Sequence, residues 1–405
     1  MSASPTPLAG LRVLDFGHTI MGPCAGHVLA DLGAEVIKIE PPEGDPTRRL
    51  PGFAAGFFAT YSRNKRSLAV DLKTAEGQAI VHRLAQSADI ALENFGPGTI
   101  DRLNCGWEVL RAHNPRLIYL AMKGYLSGPY EHRGALDEVV QMQSGLAYMT
   151  GPPGRPLRAG APVVDILGGV FGVVAVLAAL RERDQTGLGQ KVSSALFESA
   201  VFLLGPMMAG AAATGTVVPP MPARKNAWGI YDVFSASDDG QVFIGVTADA
   251  QWLRFCDVFG LAHWRDDPRL HSNSARCDAR DWMLPELKAH LARFTLDDLL
   301  ALCEQANVPY SRVGRPDELQ ADPHLKAAQG LVDVAISGFG GGLGPFTPLP
   351  ALPLEFGEAH ARTGLALQPP RIGEHTGAIL ADAGYSPGEI AAFAARGIVL
   401  CQNAT

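Results

Sequence analysis

The segment 11–40, LRVLDFGHTIMGPCAGHVLADLGAEVIKIE, decides the fold class of this chain. Two runs rich in apolar residues, 11–16 and 35–40, flank a stretch with helical periodicity at 23–32. A strand, a helix and a second strand in that order form a βαβ unit, whose two strands lie parallel in one sheet. The segment therefore predicts a doubly wound α/β domain that binds its ligand at the carboxyl ends of the strands.

Beyond residue 40 the alternation of strands and helices continues and then changes character. Further strands are expected at 68–72, 90–95 and 117–122. Helices are expected at 75–86, 107–113, 136–149 and 166–183. From about residue 222, strand-like runs at 231–235 and 241–247 flank the turn Asp238-Asp239-Gly240, which predicts an antiparallel hairpin. Separate helices are expected after it, at 251–259, 284–293 and 296–305. The pattern predicts a large Rossmann-like α/β domain and a smaller α+β domain.

The composition excludes several classes of protein. Of 405 residues, 47% are hydrophobic and 19% charged, which excludes a disordered chain. The net charge is −7, and no nucleic-acid partner is expected because phosphate binding needs a concentrated positive face. The six cysteines form no C-x-x-C pair, so they predict the reduced thiols of a cytoplasmic protein and no metal site. The apolar stretches 166–180 and 199–223 are predicted to be buried rather than to span a membrane.

Asp165 is the residue on which the chemical interpretation depends. Fifteen uncharged residues follow it, and a buried carboxylate is costly unless it is hydrogen-bonded or paired. One interpretation is an N-terminal cap of the helix that follows, and the other is a functional carboxylate. Gly168 and Gly169 favour the functional interpretation, because a ligand can approach closely where side chains are absent.

Two glycine motifs carry less information. The helix start at Gly22-Pro23 presents free N–H groups that suit a phosphate, but most such turns hold no ligand. The string GFGGGLG at 338–344 lacks the Lys-Ser/Thr ending of a phosphate loop, so we predict a flexible turn there.

Several strings, taken in order, resemble the class III CoA-transferase family. They are PLAGLRVLDFGH at 7–18, LGAEVIKIEPPEGDPTR at 32–48, NKRSLAVDLKTAEG at 64–77, ADIALENFGPGTIDRLN at 88–104, NPRLIYLAMKGY at 114–125, TGLGQKVSSALFES at 186–199 and IGEHT at 372–376. The family includes formyl-CoA transferase, carnitine CoA-transferase and α-methylacyl-CoA racemase. The resemblance covers nearly the whole chain.

The resemblance implies a domain organisation and an assembly. Both chain ends, 1–221 and 322–405, would form the large domain, with the small domain inserted at 222–321. Members of the family form an interlocked homodimer, in which each subunit passes through a ring made by the other. The apolar stretch 199–223 would then be buried at the contact between subunits.

The resemblance also implies the site residues. Asp165 falls on the family's catalytic aspartate, which attacks the thioester of an acyl-CoA, and amides near Gly168 and Gly169 would stabilise the oxyanion. The partners are an acyl-CoA and a free carboxylic acid; CoA is a substrate, and no permanently bound cofactor is expected. Contacts to CoA are implied for His18, Thr19, Leu72, Lys73, Asn94, Phe95, Thr99, Arg102, Lys123 and Tyr125.

The substrate class is read from 136–160, which is most similar to the mesaconyl-CoA and succinyl-CoA dicarboxylate CoA-transferases. Arg155 and Arg158 would clamp a second carboxylate, or they are exposed loop arginines. Leu136 stands where the racemase branch has a histidine, and Ile20 where the formyl-CoA branch has a glutamine. We therefore expect transfer of CoA between small dicarboxylic acids, or between the C1 and C4 carboxylates of one acid. An acyl-CoA racemase or epimerase, and a non-catalytic acyl-CoA-binding protein, are the alternatives.

Overall fold

The computed structural model describes residues 6–224, 227–336 and 346–402. The glycine-rich turn predicted at 338–344 lies outside the described residues. The chain forms two compact units: the first comprises Met1–Pro222 together with Pro323–Thr405, and the second is Ala223–Asp322. These limits lie one residue away from the domain limits expected above.

The amino-terminal part of the first unit alternates strands with helices. Its strands are β1 (Arg12–Asp15), β2 (Glu35–Glu40), β3 (Lys65–Val70), β4 (Ile90–Glu93), β5 (Ile118–Lys123) and β6 (Lys191–Ala195). Its helices are α1 (Met21–Asp31), α2 (Phe57–Ser62), α3 (Ala75–Ala85), α4 (Thr99–Arg102), α5 (Trp107–His113), α6 (Asp137–Ser144), α7 (Leu146–Thr150), α8 (Val163–Thr186) and α9 (Leu196–Thr214). The stretch 136–149, predicted as one helix, is divided at Gly145, whose φ of +90° ends α6.

The rest of the chain completes both units. The second unit contains β7 (Ile230–Ser235), β8 (Gln241–Val246), β9 (Tyr310–Arg312), α10 (Asp249–Val258), α11 (Ala262–Arg265), α12 (Asn273–Asp278), α13 (Arg280–Leu291) and α14 (Leu296–Ala306). The chain returns to the first unit with α15 (Pro323–Ala327), β10 (Leu331–Ala335), β11 (Phe346–Pro350), α16 (Thr376–Asp382), α17 (Pro387–Ala395) and β12 (Val399–Leu400). The predicted hairpin is confirmed, because β7 and β8 pair antiparallel.

The main sheet has the strand order β12-β3-β2-β1-β4-β5-β6. The central strand β1 pairs in parallel with both β2 and β4, so the winding of the chain reverses between β1 and β4. Loops diverge at such a reversal and leave a crevice at the carboxyl ends of the two strands. The strands β1 to β6 are parallel, as the βαβ pattern predicts, and the short strand β12 runs antiparallel to β3.

Two apolar cores cover the two faces of this sheet. One face carries Leu14, Ile37 and Leu68 and is covered by α3, α5, α16 and α17. The opposite face carries Val13 and Val36 and is covered by α1, α6, α8 and α9. Burial on both faces explains why β4 and β5 are apolar along nearly their whole length.

Helices α8 and α9 are both long and apolar enough to cross a membrane by length and composition. Only 22% of the apolar stretch of α9 is buried, and its side chains Phe202, Leu203 and Met208 are exposed. The prediction that both stretches are buried within the fold is therefore wrong for the single chain. The physical reason is that α9 packs on the sheet through one face, which includes Leu196 and Ala200, and leaves the other face open.

Candidate active site

A cavity of about 670 Å³ opens at the point where the winding of the sheet reverses. It is bounded by the loops that follow β1 and β4, by the segment 131–138 and by the start of α8. Seven of the residues expected at the site line it: His18, Thr19, Asn94, Phe95, Lys123, Arg158 and Asp165.

The loop 17–19 after β1 is fixed by hydrogen bonds at each of its residues. Gly17 N–H donates to Asp15 Oδ1 at 2.7 Å, and Lys38 Nζ donates to the Gly17 carbonyl at 2.9 Å. Asn94 accepts from His18 N–H at 2.9 Å and donates to the His18 carbonyl at 3.0 Å. Asn94, expected to contact CoA, therefore holds the loop through both ends of its amide.

Thr19 completes this loop in an unusual backbone conformation. Its φ is +64°, which is rare for a β-branched residue and persists only when the surroundings enforce it. Thr19 N–H donates to Thr47 Oγ1 at 3.0 Å, and Thr19 Oγ1 lies 3.0 Å from His18 Nδ1. Burial lowers the pKa of His18, whose ring packs against Phe95 with centroids 5.2 Å apart. The imidazole that lines the cavity is therefore mainly neutral at pH 7.

Buried ion pairs lie directly beneath the loop. Lys65 Nζ contacts Asp15 Oδ2 at 2.6 Å with both side chains fully buried, and Lys38 Nζ contacts Asp45 Oδ2 at 2.6 Å. Burial alone would raise the pKa of Asp45, but the Lys38 charge and hydrogen bonds from Thr47 outweigh it and lower that pKa to about 2. These ions anchor the loop because each also bonds a backbone group near it.

Asp165 is the third residue of α8 and lines the cavity. The N-cap of α8 is Pro162, which has no side chain able to accept a hydrogen bond, so the N-cap interpretation of Asp165 is wrong. The cap comes instead from α6: Asp137 Oδ2 accepts from Val164 N–H at 2.8 Å and from Asp165 N–H at 3.1 Å.

The environment of Asp165 opposes its ionisation. Burial first, and then the negative charges of Asp137 and Glu138, raise the pKa of Asp165 to about 7. Asp165 in turn helps to raise the pKa of the neighbouring Cys24 thiol, which burial and this charge bring to about 11. When a carboxylate that is costly to ionise becomes a neutral acyl group, the unfavourable charge is removed and free energy is released. Such a carboxylate suits a nucleophile that forms covalent adducts.

A second buried carboxyl lies along the cavity, at the end of β4. Glu93 Oε2 accepts from Phe95 N–H at 2.9 Å, and burial raises the pKa of Glu93 to about 7 in spite of that bond. The Tyr119 hydroxyl nearby is buried and has no hydrogen-bond partner among the described residues. The sequence offered no signal for Glu93 or Tyr119, since both lie in apolar strands of ordinary appearance.

Besides Gly168 and Gly169, six of the expected site residues lie outside the lining of this cavity. Leu72 packs on the sheet core, and Lys73 N–H donates to Asp71 Oδ1 at 2.9 Å. Arg102 donates to Thr99 Oγ1 at 2.9 Å, and the Tyr125 hydroxyl donates to Gln143 Oε1 at 2.5 Å. Outside the lining are therefore Leu72, Lys73, Thr99, Arg102, Tyr125 and Arg155.

Gly168 and Gly169 are also absent from the lining, which corrects their expected role. A Cβ on Gly168 would lie 2.5 Å from Met21 Cε, and one on Gly169 would lie 2.8 Å from the Met21 carbonyl oxygen. The two glycines therefore let α1 pack closely against α8 rather than let a ligand approach. Their amides lie within the hydrogen-bonded helix α8, so they are not free to bind an oxyanion.

The structure places Arg158 and Arg155 in different environments. Arg158 lines the cavity and contacts Glu138 Oε1 at 3.0 Å, whereas Arg155 is exposed outside it. The exposed-loop interpretation therefore fits Arg155, and Arg158 is the cation of this pair that faces the site. Across the described ranges no cluster of His, Cys, Asp and Glu has a geometry that would hold a metal ion.

Other cavity residues were not predicted from the sequence. No sequence pattern pointed to Asp137 and Glu138 or to the apolar wall formed by Phe53 and Phe57. His132 also lines the cavity, from an exposed loop. A carboxylate pair at the start of a helix is a weak signal, and the aromatic wall has no local pattern.

Comparisons with known proteins identify the family of this chain. The family model described as CoA-transferase family III matches residues 8–376. The chain is 34% identical to the succinyl-CoA–D-citramalate CoA-transferase of Chloroflexus aurantiacus, over 82% of this chain and 84% of that protein. It is 32% identical to the succinate–glutarate CoA-transferase of Agrobacterium fabrum, over 93% of this chain and 95% of that protein.

A solved structure is similar as well. The CaiB/BaiF family protein from Brucella suis is 32% identical and has a TM-score of 0.81, with 94% of this chain and 100% of that chain covered. Family model, relatives and fold lead to one conclusion. The chain belongs to CoA-transferase family III and is a CoA-transferase.

Proposed function

We propose that the chain moves CoA between two carboxylic acids through an aspartyl-CoA thioester on Asp165. The observation that carries this proposal is the placement of Asp165: it lines the cavity in the first turn of α8, with a pKa raised to about 7. A carboxylate with that pKa is available in its ionised, nucleophilic form at neutral pH, yet it loses an unfavourable charge when it is acylated.

The reaction conserves the energy of the thioester at each step. An oxygen of Asp165 attacks the thioester carbonyl of the donor, the C–S bond breaks, and CoA leaves as thiolate with the electron pair. The thiolate then attacks Cγ of Asp165, the Cγ–O bond of the mixed anhydride breaks, and the first acid leaves with that oxygen and the electron pair. The acceptor acid reverses both steps and leaves as its CoA ester.

The proposed substrates are small dicarboxylic acids, with succinyl-CoA or a mesaconyl-CoA type of C1–C4 transfer as the expected reactions. Arg158 lines the cavity, and a guanidinium binds a carboxylate through two hydrogen bonds. The relatives named above act, by their names, on succinate, glutarate and citramalate. His18, Thr19, Phe95 and Lys123 line the same cavity and are proposed to contact CoA.

The homodimer is part of this proposal. Helix α9 exposes Phe202 at 67% and Met208 at 60%, and α8 exposes Val174 at 55%. Exposed apolar side chains on two neighbouring long helices are typical of a surface that a second subunit covers. A monomer by sedimentation at micromolar concentration would contradict the dimer.

The covalent intermediate is tested by trapping. After addition of acyl-CoA, hydroxylamine should convert the aspartyl thioester into a hydroxamate on the tryptic peptide 159–181, in which Asp165 is the only acidic side chain. Asp165→Ala should give no adduct and should lower transfer by at least about a thousandfold, while CoA still binds by calorimetry. Full transfer activity in this variant would contradict the proposed function.

The dicarboxylate preference is tested with a matched pair of variants. Arg158→Gln should raise KM for dicarboxylic acceptors by about tenfold or more and leave KM for monocarboxylic acceptors nearly unchanged. Arg155→Gln, which removes an exposed arginine of the same loop, should change neither value. Equal effects of the two substitutions would remove the basis for the substrate class.

Racemisation is the second candidate function, because His132 lines the cavity although Leu136 stands where the racemase branch has its histidine. A histidine on that loop can act as a base beside the acyl group. Deuterium incorporation at the α-carbon of an acyl-CoA, with no acceptor acid present and lost in His132→Ala, would support this function over transfer.

A further inference from the structure

Helix α8 depends on a residue from another helix for its amino-terminal cap. Asp137 is 3% exposed, and its Oδ2 accepts the N–H groups of both Val164 and Asp165. The first N–H groups of a helix need such an acceptor, and Pro162 cannot provide one. The position of Asp165 is therefore set by Asp137.

The hydrogen bonds of Asp137 define the charge that it carries. Its Oδ1 accepts from the Gln141 side-chain amide, and Gln141 Oε1 accepts from Ala159 N–H at 2.9 Å. Asp137 therefore receives three hydrogen bonds from N–H donors and donates none. A carboxyl group that only accepts is in its ionised form.

Charged or titratable groups from several elements surround Asp165 or line the same cavity. Those on neighbouring elements are Cys24 on α1, Tyr61 on α2, His18 after β1, Asp137 and Glu138 on α6, and Arg158, which is paired with Glu138. Further along the cavity lie Glu93, Asp101, Lys123, Glu131, His132, Arg133 and Lys191. Among these, Asp137 is the negative group that hydrogen-bonds the backbone of Asp165 itself.

We infer that Asp137 is a positioning residue for the reaction: it fixes the first turn of α8, and its negative charge favours the acylated form of Asp165 over the free carboxylate. This inference rests on the proposed aspartyl intermediate. It assigns to Asp137 an energetic contribution that a purely structural cap would not make.

The charge of Asp165 is lost when the acyl-enzyme forms. When the thioester forms on Asp165, the Cγ–S bond replaces a Cγ–O bond, and the oxygen leaves with its electron pair on the first acid. The negative charge next to Asp137 therefore leaves the site. Like charges in a partly buried site repel strongly, and the repulsion present in the free enzyme is absent from the acyl-enzyme. Burial is the largest cause of the raised pKa of Asp165, and the charge of Asp137 raises that pKa further.

The test separates the charge of Asp137 from its hydrogen bonds. Asp137→Asn removes the charge, and an amide oxygen still accepts from the two N–H groups of α8. In the double variant Asp137→Asn/Gln141→Glu, the new amide donates to Glu at position 141, which still accepts from Ala159 N–H. This variant keeps the chain of hydrogen bonds. It moves the negative charge from position 137 to position 141, which is one side chain further from Asp165 along that chain.

The readouts are the pH dependence of acylation and the yield of hydroxamate on peptide 159–181. In both variants, the rise of the acylation rate with pH should move to lower pH by about one unit. The equilibrium yield of acyl-enzyme should fall by about tenfold, the equivalent of one pKa unit. The double variant should regain the unfolding midpoint that the single variant loses.

An unchanged pH dependence and yield in the folded double variant would overturn the inference and leave Asp137 as a structural cap. The failure of the proposed function is a different result: the wild-type chain would give no adduct on peptide 159–181. An adduct in the wild type with unshifted variants contradicts the role of Asp137 alone.

Discussion

The two units of the chain differ in what they bury. The core of the second unit is built from apolar side chains such as Trp252, Phe255 and Leu287, and among its described residues only Arg276 is a buried charged group. The first unit has apolar cores of the same kind, but it buries many charged side chains as well: Asp15, Asp31, Lys38, Glu40, Asp45, Arg48, Arg63, Lys65, Glu93, Asp137 and Arg183.

The difference shows what the buried charges of the first unit do. Buried ion pairs rarely make a protein more stable than apolar residues of the same volume would. Here several of them bond the backbone of the cavity: Asp15 and Lys38 hold Gly17, and Asp137 holds the start of α8. Charge is buried where a loop has to be fixed, and the second unit, with an ordinary core, lacks that requirement.

The largest expected effect comes from breaking the deepest ion pair. Lys65→Met leaves Asp15 fully buried without its partner, so the free energy of unfolding should fall by about 3–5 kcal/mol. Denaturant unfolding measures this loss, and Asp15→Asn combined with Lys65→Met should recover part of it. A loss below about 1 kcal/mol would show that the pair is not held in a dry interior.

Removing the charge of Asp165 is expected to make the protein more stable. The pKa of Asp165 is raised from 3.8 to about 7 in the folded chain, so ionising it costs free energy that grows between about pH 4 and pH 7. Asp165→Asn should therefore raise the free energy of unfolding at pH 8 by roughly 2–4 kcal/mol, with no gain at pH 4. A gain that is the same at both pH values would contradict this origin.

The pair of Lys38 with Asp45 should show the opposite pH dependence. The pKa of Asp45 is lowered from 3.8 to about 2, so the pair adds stability above about pH 4 and loses it as the pH falls towards 2. Asp45→Asn should cost about 2 kcal/mol at pH 7 and almost nothing near pH 2. Unfolding of both proteins across this range checks the prediction, and parallel curves would refute it.

The smallest effect is expected in the second unit, although Arg276 is as deeply buried as Lys65. Its partner Asp249 is 65% exposed, so Arg276→Met leaves no buried charge behind. The expected loss is about 1–2 kcal/mol, from the hydrogen bond to the Leu270 carbonyl at 2.9 Å and the contact with Trp252. A loss as large as that of Lys65→Met would show that burial of the cation alone, rather than of its partner, sets the cost.

The alternation of apolar runs predicted much of the first unit. Strand β2 and helix α5 have the predicted limits, because a strand buried on both faces and a short helix between glycine and proline turns are marked locally. Strand β3 begins three residues before its predicted start, because its first positions, Lys65 and Arg66, are charged. A charge that is paired within the fold looks like a surface charge in the sequence.

The candidate site was predictable where one residue stands out and not where two distant residues cooperate. Asp165 is conspicuous as a carboxylate before an apolar stretch, but its cap Asp137 lies 27–28 residues away from the groups it binds. Gly168 and Gly169 were misinterpreted because a missing side chain suits a neighbouring helix as well as a ligand. Only the packing of α1 on α8 distinguishes the two.

The most direct test of the aspartyl mechanism follows one oxygen atom. With an acceptor acid labelled in its carboxylate by heavy oxygen, a full turnover through the mixed anhydride leaves one labelled oxygen on Asp165. Peptide 159–181, with Asp165 as its only acidic side chain, should then gain the mass of one heavy oxygen in the wild type and not in Asp165→Ala. Repeated turnover with no label in this peptide would show that Asp165 does not form the anhydride, and would contradict the mechanism.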